Sequence, residues 1–233
     1  MRPITRPKSL SATVLDGLRQ SIVEGDLALG QPLSERQLAE SFGVSKTPVR
    51  EALAQLRLEG LVRIVPQRGV FVFTLSAREV MNMCELRLTL EATALRLAFE
   101  RDRSGLLSGL TSIVREMEAA RNARDMRGYL NSDTAFHQVF FRACGNPLLA
   151  DTYGIYLGKI AAVRTHLAVK PLHTERSYEE HRDILAGLGT GDLARTLDIL
   201  DRHIERTKTT YAETVEDIAA ADNDAGKDAG QAA

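Results

Sequence analysis

Four side chains of types that bind divalent metals lie on apolar faces of predicted helices: Asp133, His137, His181 and His203. Apolar residues spaced by three and four predict these helices over residues 126–144, 177–188 and 192–219. Asp133 and His137 are four positions apart and project side by side, as a chelating pair requires. Burying such groups is costly unless they are paired or bind a cation, and one carboxylate with three imidazoles suits a borderline divalent ion. The alternative is that a backbone carbonyl satisfies each histidine separately; His166 and His173 lie off the pattern and are expected at the surface.

Two arginines on apolar faces are candidates for binding an anion. Arg87 shares its stripe with apolar residues of a helix predicted over residues 77–102, so its guanidinium should point inward. Glu91, one turn further on, could neutralise it structurally. Alternatively, Arg87 receives the carboxylate of a ligand through a pair of parallel hydrogen bonds. Arg164, at the edge of the apolar stripe of a helix predicted over residues 147–169, is a second candidate.

A further group of residues has the types and spacing of a DNA-reading surface: Arg36, Ser45, Lys46, Thr47, Arg50, Arg68 and Gly69. Short hydroxyl groups can reach phosphates or base edges, and Arg50 can make two hydrogen bonds to guanine O6 and N7. Arg36 is placed to contact a phosphate, and Gly69 would let the backbone approach a minor groove closely. The alternative is that these residues are ordinary solvated groups on a small helical domain.

The elements predicted around this surface are three helices followed by a β-hairpin. The first helix is predicted over residues 10–24, the second opens at the capping box 34–37 and ends at Gly43, and the third runs to Glu59 after a cap by Ser45 or Thr47. The hydrophobic period then changes from 3.6 to 2 over residues 61–73, which predicts two strands joined by a short tip. Three helices plus a hairpin predict a winged helix-turn-helix, whose third helix enters the major groove with its N-terminal residues at the bases.

The change of pattern near residue 75 predicts two domains and a mainly α protein. Residues 1–75 form the predicted winged helix-turn-helix DNA-binding domain. A second capping box, Ser76 to Glu79, then opens an all-helical bundle over residues 76–218, which contains the candidate metal ligands. Residues 219–233 lack large apolar side chains and are predicted to be disordered.

The composition excludes a secreted miniprotein, a collagen, a membrane protein and a coiled rod. The 233-residue chain is 44 % hydrophobic and 26 % charged, has two cysteines and contains no apolar run near the ~20 residues of a membrane span. No apolar region follows the basic N-terminal residues, so we do not expect a secretory signal. We expect a cytoplasmic protein without membrane contact.

The net charge of −1 divides into +4 for residues 1–78 and −5 for the remainder. The basic first third favours a polyanion as its partner.

Residues 38–53, with the sequence LAESFGVSKTPVREAL, followed by Leu56, residues 59–62 and residues 68–72, resemble the GntR family of bacterial repressors. The resemblance covers about residues 12–73, and it implies DNA contacts by Arg36, Lys46, Arg50 and Arg68. Lys46 departs from the arginine more often found in the family, and a lysine is a point charge rather than a two-pronged donor.

Five further segments resemble the FCD ligand-binding domain of the FadR-type subfamily: residues 133–137, 145–149, 180–185, 191–194 and 202–204. The resemblance spans about residues 78–212. It implies that Asp133, His137, His181 and His203 bind Zn²⁺ or Ni²⁺, that an arginine of the segment Glu85–Leu86–Arg87 contacts the effector, and that a long-chain acyl-CoA effector is disfavoured.

The resulting hypothesis is a homodimeric bacterial transcriptional regulator, most often a repressor in this family. Its two basic domains would bind the half-sites of a palindromic operator in double-stranded DNA. A small organic acid would bind between the metal and Arg87 and change the relative positions of the DNA-binding domains. Zn²⁺ is the expected metal, with Ni²⁺ as the second choice.

Two alternatives remain open from the sequence. A metal-dependent hydrolase would use the same four ligands to hold a water-activating ion, but no general base is evident, because Glu180 precedes His181 and should face outward. A metal with a purely structural role would need no effector.

Overall fold

We describe a computed structural model of the chain, covering the backbone of residues 8–167 and 171–231 and the side chains of residues 8–166 and 173–216. The chain divides into two compact units, Met1–Thr74 and Leu75–Ala233. It is mainly helical, with one small sheet in the first unit, which confirms the predicted fold class. Among the described residues, no helix combines the length and the apolar composition that crossing a bilayer requires.

The first unit consists of three helices and a three-stranded antiparallel sheet. Helices α1 (Leu10–Glu24), α2 (Glu35–Phe42) and α3 (Lys46–Leu58) precede strands β2 (Val62–Val65) and β3 (Gly69–Val72), which form the hairpin. A two-residue strand, β1 (Pro32–Leu33), pairs with β3 and gives the strand order β1-β3-β2. The sequence analysis missed β1, because two residues carry no alternating pattern and pair only through the tertiary fold.

The core of this unit follows the predicted apolar stripes. Helix α1 packs against α3, and their buried residues are Val14, Leu18, Ile22, Val49, Ala52, Leu53 and Leu56. The Ser34 side chain caps α2, and Gly43 ends it in the left-handed conformation, with φ of 63°. This tight turn sets the start of α3 directly after α2, as a helix-turn-helix requires.

In the described part of the second unit there are six helices: α4 (Ala77–Arg101), α5 (Arg103–Asn122), α6 (Met126–Ala143), α7 (Pro147–Leu167), α8 (Pro171–Thr190) and α9 (Leu193–Gln231). The capping box of Ser76 and Glu79 forms at the start of α4 as predicted. The predicted start of α8 at residue 177 was wrong, since the helix begins at Pro171, where a proline fits because first-turn amides lack helical partners. Helix α9 extends to Gln231, so the backbone is helical over most of residues 219–233, the segment predicted to be disordered, whose side chains lie outside the described residues.

The packing of these helices brings the candidate site together. Helix α6 packs against α4, α5 and α7, and α9 packs against α4 and α8. Polar residues lie on the otherwise apolar, buried faces of four helices, α4, α6, α8 and α9. Their side chains therefore meet inside the bundle.

Candidate metal centre

Three histidines from three helices converge inside the second unit. His137 of α6, His181 of α8 and His203 of α9 are at most 2 % exposed, and one ring nitrogen of each lies within 4.8 Å of the others. The Nε2 atoms of His137 and His181 are 3.3 Å apart. Phe136 packs against the His181 ring with 4.2 Å between centroids, so apolar groups enclose the cluster. The convergence matches the predicted placement of these three residues.

Carboxylates lie behind two of these rings. Nδ1 of His203 is 2.7 Å from Oε2 of Glu180, and Nδ1 of His137 is 2.8 Å from Oε2 of Glu91, the latter outside hydrogen-bond geometry. In His203 this arrangement places the proton on Nδ1 and leaves the Nε2 lone pair for another partner. The expectation that Glu180 faces outward was wrong, because α9 packs along α8 and brings His203 to the edge that Glu180 reaches.

Arg206 binds Glu180 and also contacts a fourth histidine, His173. Its Nε and Nη2 atoms donate to the two oxygens of Glu180 at 2.9 and 2.6 Å, and Nη1 lies 2.9 Å from Nδ1 of His173. His173 is only 6 % exposed, so its expected surface position was wrong. The cause is the earlier start of α8, which places His173 in the first turn, against α9. Nothing in the sequence pattern marked Arg206.

Asp133 lies beside the histidine cluster but is paired with an arginine. Its Oδ1 is 3.8 Å from Nδ1 of His181, whereas its Oδ2 is 2.6 Å from Nε of Arg164. Both Asp133 and Arg164 are about 5 % exposed. The structure thus brings Asp133 to the site, on the α6 side, with Arg164 as its nearest charged neighbour.

Arg87 points inward and makes two contacts there. Its Nε donates to Oε1 of Glu91 at 2.6 Å, and its Nη2 lies 2.8 Å from Nε2 of His137. Tyr153 also donates to Oε1 of Glu91, at 3.1 Å. The pairing with Glu91 is the structural alternative that the sequence left open, and the contact with His137 joins Arg87 to the histidine cluster.

Electrostatics keep the histidines neutral and Asp133 ionised. Burial lowers the pKa of His137 and His203, and it lowers that of His181 to about 3. Burial, the largest single effect, would raise the pKa of Asp133, but Arg164 and the three histidines together outweigh it and the pKa is lowered. Neutral imidazoles with available lone pairs are the form in which histidine binds a metal.

The residues present fit a divalent metal. Within the described part of the chain, Nδ1 of His137, Nδ1 of His181 and Oδ2 of Asp133 are buried outside hydrogen-bond geometry, although Glu91 lies 2.8 Å from the first and Arg164 2.6 Å from the third. Such atoms are rare in folded proteins and call for an explanation. Three imidazoles and an adjacent carboxylate are nitrogen and oxygen donors of the types that bind zinc, and further hydrogen bonds orient histidines in such sites.

One cavity borders the cluster, and a second lies on the outer side of the first. The inner one, about 10 Å³, has walls formed by Arg87, Asp133, Arg164, His203 and Tyr211, among others. The outer one, about 510 Å³, lies at the surface between the end of α5, the start of α6, and α8. Tyr129 and Thr174 line both, and the Tyr129 hydroxyl donates to the Thr174 carbonyl at 3.0 Å. The inner cavity holds no more than one water molecule.

In the first unit, the predicted DNA-binding residues lie on the exposed surface. Ser45, Lys46, Thr47 and Arg50 occupy the exposed side of the start of α3, and the Ser45 side chain makes no capping hydrogen bond. Arg50 forms an ion pair of 2.7 Å with Glu35, and Arg36 one of 3.6 Å with Glu40. Arg68 and Gly69 lie at the exposed hairpin tip, where Gly69 has a φ of 106° that favours glycine.

Two family matches cover most of the chain. Residues 82–206 match the FCD domain, and residues 10–72 match the bacterial regulatory proteins of the gntR family.

Two relatives have the same organisation. A transcriptional regulator of the helix-turn-helix type from an unstable DNA locus of Streptomyces ambofaciens is 34 % identical over 77 % of this chain and 76 % of its own length. The transcriptional repressor NanR of Cronobacter sakazakii is 29 % identical over 90 % and 88 %, respectively.

Two solved structures have a similar fold. A GntR transcriptional regulator from Rhodococcus sp. RHA1 superimposes with a TM-score of 0.79 at 20 % identity, over 88 % of this chain and 98 % of its own. The Zn²⁺-bound FCD domain of the regulator TM0439 superimposes with a TM-score of 0.52 at 23 % identity, over 62 % of this chain and 97 % of its own.

Proposed function

The chain belongs to the GntR family of bacterial transcriptional regulators, with an FCD domain as its second unit, and from this premise we propose that it is a metal-containing repressor that responds to a small carboxylate. The family and the relatives are DNA-binding regulators and not enzymes, so the hydrolase alternative is set aside. The observation that carries the metal proposal is the convergence of His137, His181 and His203 in a fully buried cluster.

In the proposed site, His137, His181 and His203 bind Zn²⁺ or Ni²⁺, and Asp133 supplies the fourth ligand. The contact of Glu180 with Nδ1 of His203 supports the proposal, because it fixes the tautomer that a metal requires. Zinc in the similar FCD domain of TM0439 supports the same assignment. A bound divalent metal would supply a positive charge and open coordination positions for an anionic ligand.

The proposed effector is a small organic acid that binds beside the metal. Arg87 and Arg164 face the inner cavity, and a guanidinium matches a carboxylate in charge and geometry. The inner cavity of about 10 Å³ excludes a molecule of that size unless side chains move, so the effector must select a rearranged state. The outer cavity, across the Tyr129–Thr174 hydrogen bond, is the proposed route of entry.

In the first unit, the proposed DNA contacts are Arg36, Ser45, Lys46, Thr47, Arg50, Arg68 and Gly69. We place α3 in the major groove and the hairpin tip at the adjacent minor groove. A homodimer on a palindromic operator in the cytoplasm completes the proposal, because a twofold protein reads a twofold site.

Three measurements on the full-length protein test this function. Equilibrium dialysis with metal analysis should find one Zn²⁺ or Ni²⁺ per chain, and His181→Ala should lose it while His166→Ala keeps it. Selection from random DNA should return palindromic sites. A thermal-shift screen of the metal-loaded protein against small mono- and dicarboxylates should then identify acids that bind the protein. These acids should release the protein from the selected DNA site.

The outcomes separate the alternatives. Absence of bound metal in the wild-type protein would refute the metal site. A purely structural metal predicts that Arg87→Ala leaves the response to the acid unchanged, whereas the proposed sensor loses that response.

A further inference from the structure

We propose that Arg87 and the metal compete for the same nitrogen, Nε2 of His137, so that metal binding releases Arg87 as an anion-binding group. The inference rests on the proposed function and deepens it, since it states how metal binding at His137 prepares Arg87 for the proposed carboxylate.

The competition follows from the chemistry of the two groups at His137. A guanidinium carries only donors, so the 2.8 Å contact with Nη2 of Arg87 uses the single lone pair of Nε2. A zinc–histidine bond of about 2.0–2.1 Å needs that same lone pair. The guanidinium and a divalent cation would also repel each other at this separation. Only one of them can therefore occupy Nε2.

The anchoring of Arg87 lets one end of its guanidinium move while the other remains held. Glu91 is fully buried, and its Oε1 accepts from Nε of Arg87 at 2.6 Å and from Tyr153 at 3.1 Å. The charge of Arg87 thus stays paired with Glu91 when Nη2 leaves His137. The released Nη2 borders the inner cavity, which Arg87 already lines.

Arg164 independently indicates an anion in the same cavity. Its Nε lies 2.6 Å from Asp133 and its Nη1 donates to Thr134 at 2.6 Å. Its Nη2 is buried and, within the described part of the chain, has no hydrogen-bond partner. An unpaired charged donor in a buried position is costly, and an oxygen of a small carboxylate would satisfy it. Arg87 and Arg164 together form a receptor with two guanidinium groups.

The two events are coupled as a consequence. Without metal, Arg87 is held by His137 and only Arg164 offers a donor. With metal at His137, both arginines face the cavity, and the metal adds positive charge. Metal and carboxylate binding are then mutually favourable, and by linkage each tightens the other to the same extent.

The test measures the affinity for Zn²⁺, with no other ligand present. It compares the wild-type full-length protein with the Arg87→Gln and Arg87→Lys variants. Neither variant can bridge Glu91 and His137 as arginine does, because glutamine and lysine lack the two-pronged guanidinium. We expect each to bind Zn²⁺ at least tenfold more tightly than the wild type. Arg96→Gln, an exposed arginine on the same helix, is the matched control and should leave the affinity unchanged.

Each outcome decides one claim. Equal or weaker Zn²⁺ binding by the folded Arg87 variants overturns the competition but leaves the metal site standing. Absence of Zn²⁺ binding by the wild type refutes the proposed function itself. If both variants unfold, NMR of the arginine side chains of the wild type decides, since the Arg87 guanidinium signal must shift on addition of Zn²⁺ and an unchanged signal overturns the inference.

Discussion

Oε2 of Glu180 lies 2.7 Å from Nδ1 of His203, and this contact fixes which nitrogen of a buried histidine carries the proton. Hydrogen bonds from His203 and Arg206 outweigh the effect of burial and lower the pKa of Glu180 to about 2, so the carboxylate is charged at neutral pH. We predict that Glu180→Gln weakens Zn²⁺ binding by about 10- to 100-fold, since a metal ligand loses its orienting carboxylate. Isothermal titration calorimetry at pH 7.5 measures the change.

The neighbouring residue provides the control for this prediction. Glu179 is exposed on the same helix, and Glu179→Gln keeps the helix and changes the charge equally. An affinity that falls equally in both variants would mean that net charge, not the orientation of His203, governs metal binding.

The sequence was sufficient to place the histidines and insufficient to place their partners. Helical periodicity determines which side of a helix is apolar, so His137, His181 and His203 were predicted to face inward, and they do. Glu180 and Arg206 lie at the edges of the apolar faces of α8 and α9. At such positions the contacts of a long side chain depend on how far it extends toward the neighbouring helix. That reach depends on how α8 and α9 pack, which no local pattern encodes.

The same reason explains the pairing at Asp133. Helical periodicity predicted that Asp133 and Arg164 face the interior. Their 2.6 Å contact, however, depends on the distance between α6 and α7. The fold class, in contrast, followed from local signals: the change of period near residue 61, the capping box at Ser76, and the glycine that ends α2. The exposure of the proposed DNA contacts was predicted because it follows from the same periodicity.

Sequence-specific DNA binding should depend on Arg50. We predict that Arg50→Ala weakens binding to the selected site by about 1–3 kcal/mol and reduces discrimination among bases at one position. Arg57→Ala, near the other end of α3, removes the same charge and should leave discrimination intact. Fluorescence anisotropy on the selected site and on single-base variants measures both. Equal weakening on every sequence would identify Arg50 as a phosphate contact only.

Metal should stabilise the second unit and not the first. At a free concentration 100 times its dissociation constant, a ligand of the native state adds about 2.7 kcal/mol of stability. For a unit of this size we expect an increase of roughly 5–10 °C in the melting temperature of that unit. Calorimetry with Zn²⁺, and again after a chelator, measures the shift, and His203→Ala is the control. A shift that persists in His203→Ala would place the metal elsewhere.

Acid should weaken the first unit through the ion pair that joins α1 to the end of α3. Nε and Nη2 of Arg19 donate to both oxygens of Glu59 at 2.9 and 2.8 Å. Burial alone would raise the pKa of Glu59, but the hydrogen bonds from Arg19 and Gln55, together with the charge of Arg19, outweigh it and the pKa is lowered from 4.5. The native state therefore binds fewer protons than the unfolded state, and the contribution of Glu59 is present above about pH 4.5 and lost as pH falls through the lowered value. Because both side chains are partly exposed, we expect Glu59→Gln to cost only about 0.5–1 kcal/mol at pH 7, and less as the pH approaches 3. Urea denaturation followed by circular dichroism measures the difference, with the exposed Glu51→Gln as the control. A cost that stays constant between pH 7 and pH 3 would show that Glu59 acts through packing and not through its charge.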